Sequence, residues 1–231
     1  MNFDFPIEII RTERSKSASI EIGDDTVKVT VPKNLSDQRI EELIKNRTVW
    51  IRQKLKIQTE TVRPKDKEYV NGESFTYLGR NYRLKCVSEG AGEVKLKNGY
   101  LTVTLPNGAS AGAAERSVQQ SLKNWYQTRA LEKLKEKTKR YAAILGVNPQ
   151  SVDVKEYKAR WGSCSSSGDV TYNWRIIIAP HHIVDYIVVH ELCHLLEHNH
   201  GAKYWKHVQT VIPNYKECRH WLKTHGMNLK I

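Results

Sequence analysis

The sequence predicts an α+β protein in which strand-loop-helix units lead into a C-terminal domain built around one helix. Three observations predict it. Short stretches alternate apolar and polar residues and end at proline or glycine, as half-buried strands do. Longer stretches carry apolar residues at helical spacing. Near the C-terminal end, His190-Glu191-Leu192-Cys193-His194 is followed by His200, a pattern that belongs on a helix and at its exit. With 231 residues the chain has sequence for one large domain or two small ones.

Val27-Lys28-Val29-Thr30-Val31-Pro32 alternates as a strand, and Asn34-Leu35-Ser36 then opens a helix with Ile40, Leu43, Ile44, Trp50, Ile51 and Leu55 at helical spacing. Residues 56–67, polar and containing Pro64, are the expected linker. Residues 68–84 are rich in aromatic and β-forming side chains, with turn signals at Asn71-Gly72 and Gly79, and predict strands of an antiparallel sheet. After a hairpin signal at Asn98-Gly99, Leu101 to Pro106 repeats the strand that ends in proline. A helix from about Ala114 to Leu145 follows, carrying Val118, Leu122, Trp125, Tyr126, Leu131 and Leu134. Two strand-loop-helix units of like order suggest a duplicated element. The expected division is residues 1–145 for this N-terminal α+β region and 146–231 for the catalytic domain.

In the catalytic region, Val152 to Val154 reads as a strand, Arg160 to Ser165 as a turn-rich segment, and Asp169 to Ile178 as a strand that completes a hairpin. Pro180 closes that strand and the motif helix begins near His181 or His182. Ala202–Ile212 and Tyr215–His225 read as two short helices, separated by Pro213 and stopped by Gly226. Trp205, Val208, Val211, Trp221 and Leu222 are expected to cover the back of the site.

On a helix, residues four apart stack on one face, so His190 and His194 can present their imidazoles to one cation. The apolar run Ile183, Ile187, Val188 and Val189 buries that helix, and buried histidines need partners. A zinc ion with three protein ligands keeps a fourth position for water and lowers its pKa from about 15.7 to about 7. Glu191 is then the general base. Both His198 and His200 follow. His198 would continue the line of the helix, whereas Gly201 is suited to a left-handed cap that swings His200 back under the metal.

The formal net charge of +12 favours acidic partners, nucleic acid among them. Residues 1–150 hold 27 Lys and Arg against 18 Asp and Glu, so the excess lies mainly outside the motif region. It is dense between Lys123 and Arg140, with seven cations against two glutamates. Cys86, Cys164, Cys193 and Cys218 form no CxxC pair, which points to a reducing cytoplasm and not to a disulfide framework. The first residues lack the pattern of a signal peptide, and no segment is long and apolar enough to span a bilayer.

Arg160-Trp161-Gly162-Ser163-Cys164, Tyr172-Asn173-Trp174, Ala179-Pro180, the run Asp185 to His194, Asn199-His200 and Trp205 together closely resemble the YgjP-like metallopeptidase family, as does Gly79-Arg80-Asn81-Tyr82 upstream. The ending His200-Gly201 with Trp205 is also similar to the SprT, Spartan and WLM zinc proteases. The resemblance implies a zincin-like domain with a mixed or antiparallel sheet, zinc ligands His190, His194 and His200, and Glu191 as catalytic residue. It adds weight to His200 over His198. Glu197, where metzincins have glycine, and the lack of a Met-turn set the chain apart from those enzymes.

The implied activity is hydrolysis of a protein or peptide, with DNA-associated proteins as one prospect through the basic N-terminal half. An extended substrate would add to the strand around Tyr172 to Ile176. Arg160, Tyr157, Tyr186 or Tyr204 could assist the oxyanion. The family resemblance also carries a second activity, UTP pyrophosphatase, although the chain has no Walker-type loop or carboxylate cluster for Mg²⁺-phosphate chemistry. A nucleic-acid-binding module with a vestigial site is the third alternative, and the intact Glu191 and three histidines argue against it. Nothing in the sequence sets the oligomeric state.

Overall fold

Val27, Val29 and Val31 are fully buried while Lys28 is exposed, so the predicted alternation is realised as strand β3 (Val27–Pro32). The computed structural model describes residues 3–13, 17–23, 26–60, 66–88, 92–105 and 110–231. Strand β3 lies between β1 (Ile7–Thr12), with which it runs parallel, and β2 (Ser19–Ile22), with which it is antiparallel. Helix α1 (Asp37–Glu60) lays Ile40, Ile44 and Ile51 on the valines and closes a small core of its own. These elements belong to one compact unit, Met1–Arg63.

The second unit, Pro64–Ile231, begins with β4 (Ser74–Tyr77), β5 (Arg80–Ser88), β6 (Val94–Lys97) and β7 (Tyr100–Leu105), arranged β4-β5-β7-β6. Helix α2 (Ala111–Leu145) follows and ends where Gly146 takes the left-handed conformation and its N–H bonds back to the Ala142 carbonyl. Then come β8 (Ser151–Lys155), β9 (Gly162–Cys164) and β10 (Asp169–Asn173) in the order β8-β10-β9. A 3₁₀ segment, Trp174–Ile178, leads into α3 (His181–Cys193), α4 (Ala202–Val211) and α5 (Tyr215–His225). One continuous core joins the four-stranded sheet, α2, β10, the 3₁₀ segment and α3.

The duplication expected from sequence is a threefold recurrence. In β1-β2-β3, β5-β6-β7 and β8-β9-β10 the third strand is central, parallel to the first and antiparallel to the second, and a helix follows. The third copy escapes a sequence search because β9 is only Gly162-Ser163-Cys164, too short to alternate.

Three expectations are corrected. The compact units divide at 63/64, within the expected linker, and not at 145/146. The reason is that α2 shares its core with α3, tied by the salt bridge of Lys137 Nζ to Asp185 Oδ1 at 2.5 Å between largely buried side chains. Residues 169–178 are not one strand: the Asn173 side chain accepts from the Arg175 N–H, capping a turn, so Ile176, Ile177 and Ile178 are buried from a 3₁₀ segment. Gly201 is extended (φ −78°, ψ −176°) at the start of α4, because α3 has already ended at Cys193. The linker's centre, residues 61–65, and residues 106–109, with Pro106 of the expected strand among them, lie outside the described residues.

Four of the seven cations between Lys123 and Arg140 are spent on ion pairs: Lys123 with Glu156, Arg129 with Glu132, Lys133 with Glu136 and Lys137 with Asp185. The four cysteines are free. Among the described residues no helix is long and apolar enough to cross a membrane.

Candidate metal centre

Nine of the thirteen residues of α3 are buried, because α2, α4, α5, β9 and the 3₁₀ segment pack around it. A helix enclosed this way reads as apolar all round, and the polar side chains it carries are dehydrated. His190 occupies its last turn. His194 is its C-cap and keeps right-handed helical backbone (φ −68°, ψ −18°), so the two remain one turn apart.

The chain turns at 194–196 and runs through Asn199 to His200, which returns to the other two imidazoles. His190 Nε2 and His200 Nε2 are 3.2 Å apart, and one ring nitrogen from each of His190, His194 and His200 lies within 4.8 Å of the others. Two nitrogens that share a tetrahedral zinc at the usual bond length sit about 3.3 Å apart, so the donor set fits the ion. His198 is exposed and stands outside the cluster.

Buried Tyr204 on α4 is the floor of the cluster. Its ring centroid is 4.8 Å from His194 and 4.7 Å from His200, and its hydroxyl donates to the His190 carbonyl at 2.8 Å. That bond commits the Tyr204 hydroxyl to the backbone, so it does not serve an oxyanion. Trp205 stacks on His200 at 5.5 Å, and Tyr215 of α5 stacks on the other ring neighbour, Trp205, at 5.1 Å.

Burial, with the neighbouring His194 and His200 and the charge of Arg219, pushes His190 down to about 3. Burial and His200 also lower His194, against backbone hydrogen bonds at Glu197 and His198 that pull it up. Burial and Arg219 lower His200. All three imidazoles are therefore neutral at pH 7, the state in which they ligate a metal. His190 Nδ1 is buried without a hydrogen-bond partner among the described residues.

Glu191 is 5% exposed, and burial pushes its carboxyl up to about 8 while Arg160 draws it down. Room for it is made by Gly162 of β9: a Cβ there would lie 2.6 Å from Glu191 Oε1 and 2.8 Å from Cδ. Gly162 has no left-handed backbone to explain its glycine. Close approach explains it. Asn173, also buried, fixes the approach by donating from Nδ2 to the carbonyls of Tyr157 (3.0 Å) and Arg160 (3.2 Å), which sets the loop leading into β9. Both residues are among those that resemble the family, but sequence reading placed Gly162 in a turn-rich segment and Asn173 in a strand, with a role for neither.

Of the expected oxyanion partners, Tyr157 is engaged with Ser163 Oγ at 2.6 Å, and Tyr186 is buried, with its hydroxyl pushed up to about 12 by burial. The charge of Arg160 draws the Glu191 carboxyl down.

A family model described as YgjP-like, metallopeptidase domain, matches residues 16–225. Among solved structures, the metallopeptidase zymogen of Pyrococcus abyssi abylysin matches at 24% identity with TM-score 0.36, covering 39% of this chain and 93% of that one. The metallopeptidase zymogen of Methanocaldococcus jannaschii jannalysin matches at 20% identity with TM-score 0.36, covering 38% and 92%. No curated protein matches.

Proposed function

The chain belongs to the YgjP-like metallopeptidase family, and from that premise we propose that it is a zinc-dependent peptidase whose metal is held by His190, His194 and His200 and whose general base is Glu191. The observation that carries this is the junction of three converging neutral imidazoles with a dehydrated carboxyl seated against a glycine. Nitrogen donors without carboxylates favour zinc over magnesium or calcium. When bound, zinc supplies Lewis acidity, polarising a carbonyl and making water acidic enough to ionise near neutrality.

Glu191 accepts the proton of the attacking water on a carboxylate oxygen and delivers it to the leaving amine. Burial raises its affinity for the proton, and a metal held by the three imidazoles would lower that affinity and ease the proton's release. Arg160 is placed to hold negative charge near that carboxylate. The substrate strand is assigned to β9 in place of the segment Tyr172–Ile176, because β10 is flanked by β8 and β9 whereas β9, among the described residues, pairs with β10 alone and comes close to Glu191 at Gly162. An extended peptide added there gains main-chain hydrogen bonds beside the imidazoles. An edge strand over the helix that carries the motif is what supports a zincin-like description of the unit.

Four free cysteines suit a cytoplasmic setting. Attachment to nucleic acid draws less support, since most of the basic stretch on α2 is internally paired.

The test is hydrolysis of casein and of UTP, side by side, by zinc-loaded protein and by Glu191→Gln. Proteolysis that survives the substitution would overturn the role of Glu191. UTP turnover lost with it, in the absence of proteolysis, would replace the peptide bond by a phosphoanhydride.

A further inference from the structure

Trp205 is held from α5 by two residues one helical turn apart. Tyr215 stacks on it at 5.1 Å with an interplanar angle of 16°, and the Arg219 guanidinium carbon sits 5.2 Å from its ring centroid. Trp205 in turn stacks on His200 at 5.5 Å and lies 6.0 Å from His190. Arg219 is thus poised one aromatic ring away from the histidine cluster. It is exposed, and among the described residues it has no carboxylate within ion-pair distance. A guanidinium held over a tryptophan ring keeps outer N–H donors available in its planar fork, a geometry matched to a carboxylate. It has given up rotamer freedom before any ligand arrives, so less is lost on binding.

A purely structural arginine would be served as well by a neighbouring glutamate. Arg160, the cation next to Glu191, is unpaired in the same way and lies over the Tyr157 ring at 5.5 Å. Glu197 lies in the turn between His194 and His200, and among the described residues no ion pair joins it to Arg219 or Arg160. Both guanidiniums are left for a carboxylate that the substrate brings.

We propose that Arg219 is a specificity-determining residue that selects peptides carrying a carboxylate near the bond attacked at His190, His194 and His200. The inference depends on the peptidase assignment above. The carboxylate can belong to an aspartate or glutamate side chain or to a peptide C-terminus, and the same fork accepts either.

Peptides identical except for Glu, Gln or Lys at each position flanking the cleavage site, each with a free and an amidated C-terminus, separate the sources. The wild-type protein should cleave the carboxylate-bearing member with roughly tenfold higher kcat/KM than its neutral isostere, the value of one charge-assisted contact. Arg219→Gln should bring the two together by lowering only the acidic substrate, and Arg219→Glu should favour the Lys peptide. Arg219→Lys should retain part of the preference. An equal loss on all peptides, or no charge preference in the wild type, would overturn the proposal. Zinc content and melting temperature, unchanged in these variants, show that the site is intact. The same comparison by fluorescence anisotropy in a Glu191→Gln background reads preference from Kd without turnover. Absence of hydrolysis by the wild-type protein, with charge-selective binding retained, would therefore count against the peptidase assignment and support the role of Arg219.

Discussion

Residues 7–60 and 151–193 share one topology and use it differently. Each has a central third strand, parallel to the first and antiparallel to the second, and a helix after it. In the first, β3 buries one face and α1 covers it with one stripe, so that Val49 and Trp50 remain exposed on the same helix. In the last, β10 buries Val170, Tyr172 and Asn173, and α3 is enclosed on all sides. A one-sided helix can be stabilised by its apolar stripe alone. An enclosed one can dehydrate Glu191 and His190, and that dehydration is what gives them unusual proton affinities.

Substitutions should separate the two copies. Glu191→Gln should lower kcat by roughly 10²–10⁴-fold with zinc retained, whereas Ile44→Ala should cost the first copy about 2–5 kcal/mol of stability with little change in kcat/KM. Equal kinetic damage from both would break the distinction. His200→Ala should release zinc on dialysis while His198→Ala keeps it, measured by metal analysis; the reverse pattern would move the third ligand. Gly162→Ala should lower kcat by up to about 10²-fold through displacement of Glu191, with metal content unchanged.

Removing zinc by chelation should lower the unfolding free energy of residues 64–231 by about 2.7 kcal/mol relative to zinc at a hundred times its Kd, read as a lower melting temperature, and leave the transition of residues 1–63 in place. The smallest effect is on pH. Protons compete with the metal for imidazoles, and because all three histidines are shifted downward, zinc affinity should begin to weaken only below the ordinary histidine range near pH 6.5. Loss of zinc already at pH 7 in a titration would contradict those shifts.

Much of the centre was legible because its signals are local. His190 and His194 are set by helical spacing, and the short helices α4 and α5 by their apolar periods and by Pro213 and Gly226. His200, and not His198, is the imidazole that lies beside His190 and His194, and the turn that brings it there is made at 194–196 and not by Gly201. What escaped depends on contacts between distant segments. Gly162 against Glu191, Asn173 against the 157–160 carbonyls, and Arg219 on Trp205 have no periodic signature. A glycine inside a strand with no positive φ is the one clue that close approach could have supplied. The run Ile176-Ile177-Ile178 misled for the opposite reason: β-branched residues fit any fully buried segment, and the Asn173 cap decides for a 3₁₀ turn.

Two hairpin turns look interchangeable in the sequence. Gly99 (φ +80°) has open space around it, whereas at Gly79 (φ +77°) a Cβ would lie 2.8 Å from the Pro180 Cα. The Leu78 and Gly79 amides also donate to the carbonyls of Ile177 and Ile178. Anyone grafting a fluorophore, an affinity tag or an inserted loop onto this protein has a permissive position at Asn98-Gly99 and a forbidden one at Leu78-Gly79, where the insertion would pry the chain away from the entry of the histidine helix.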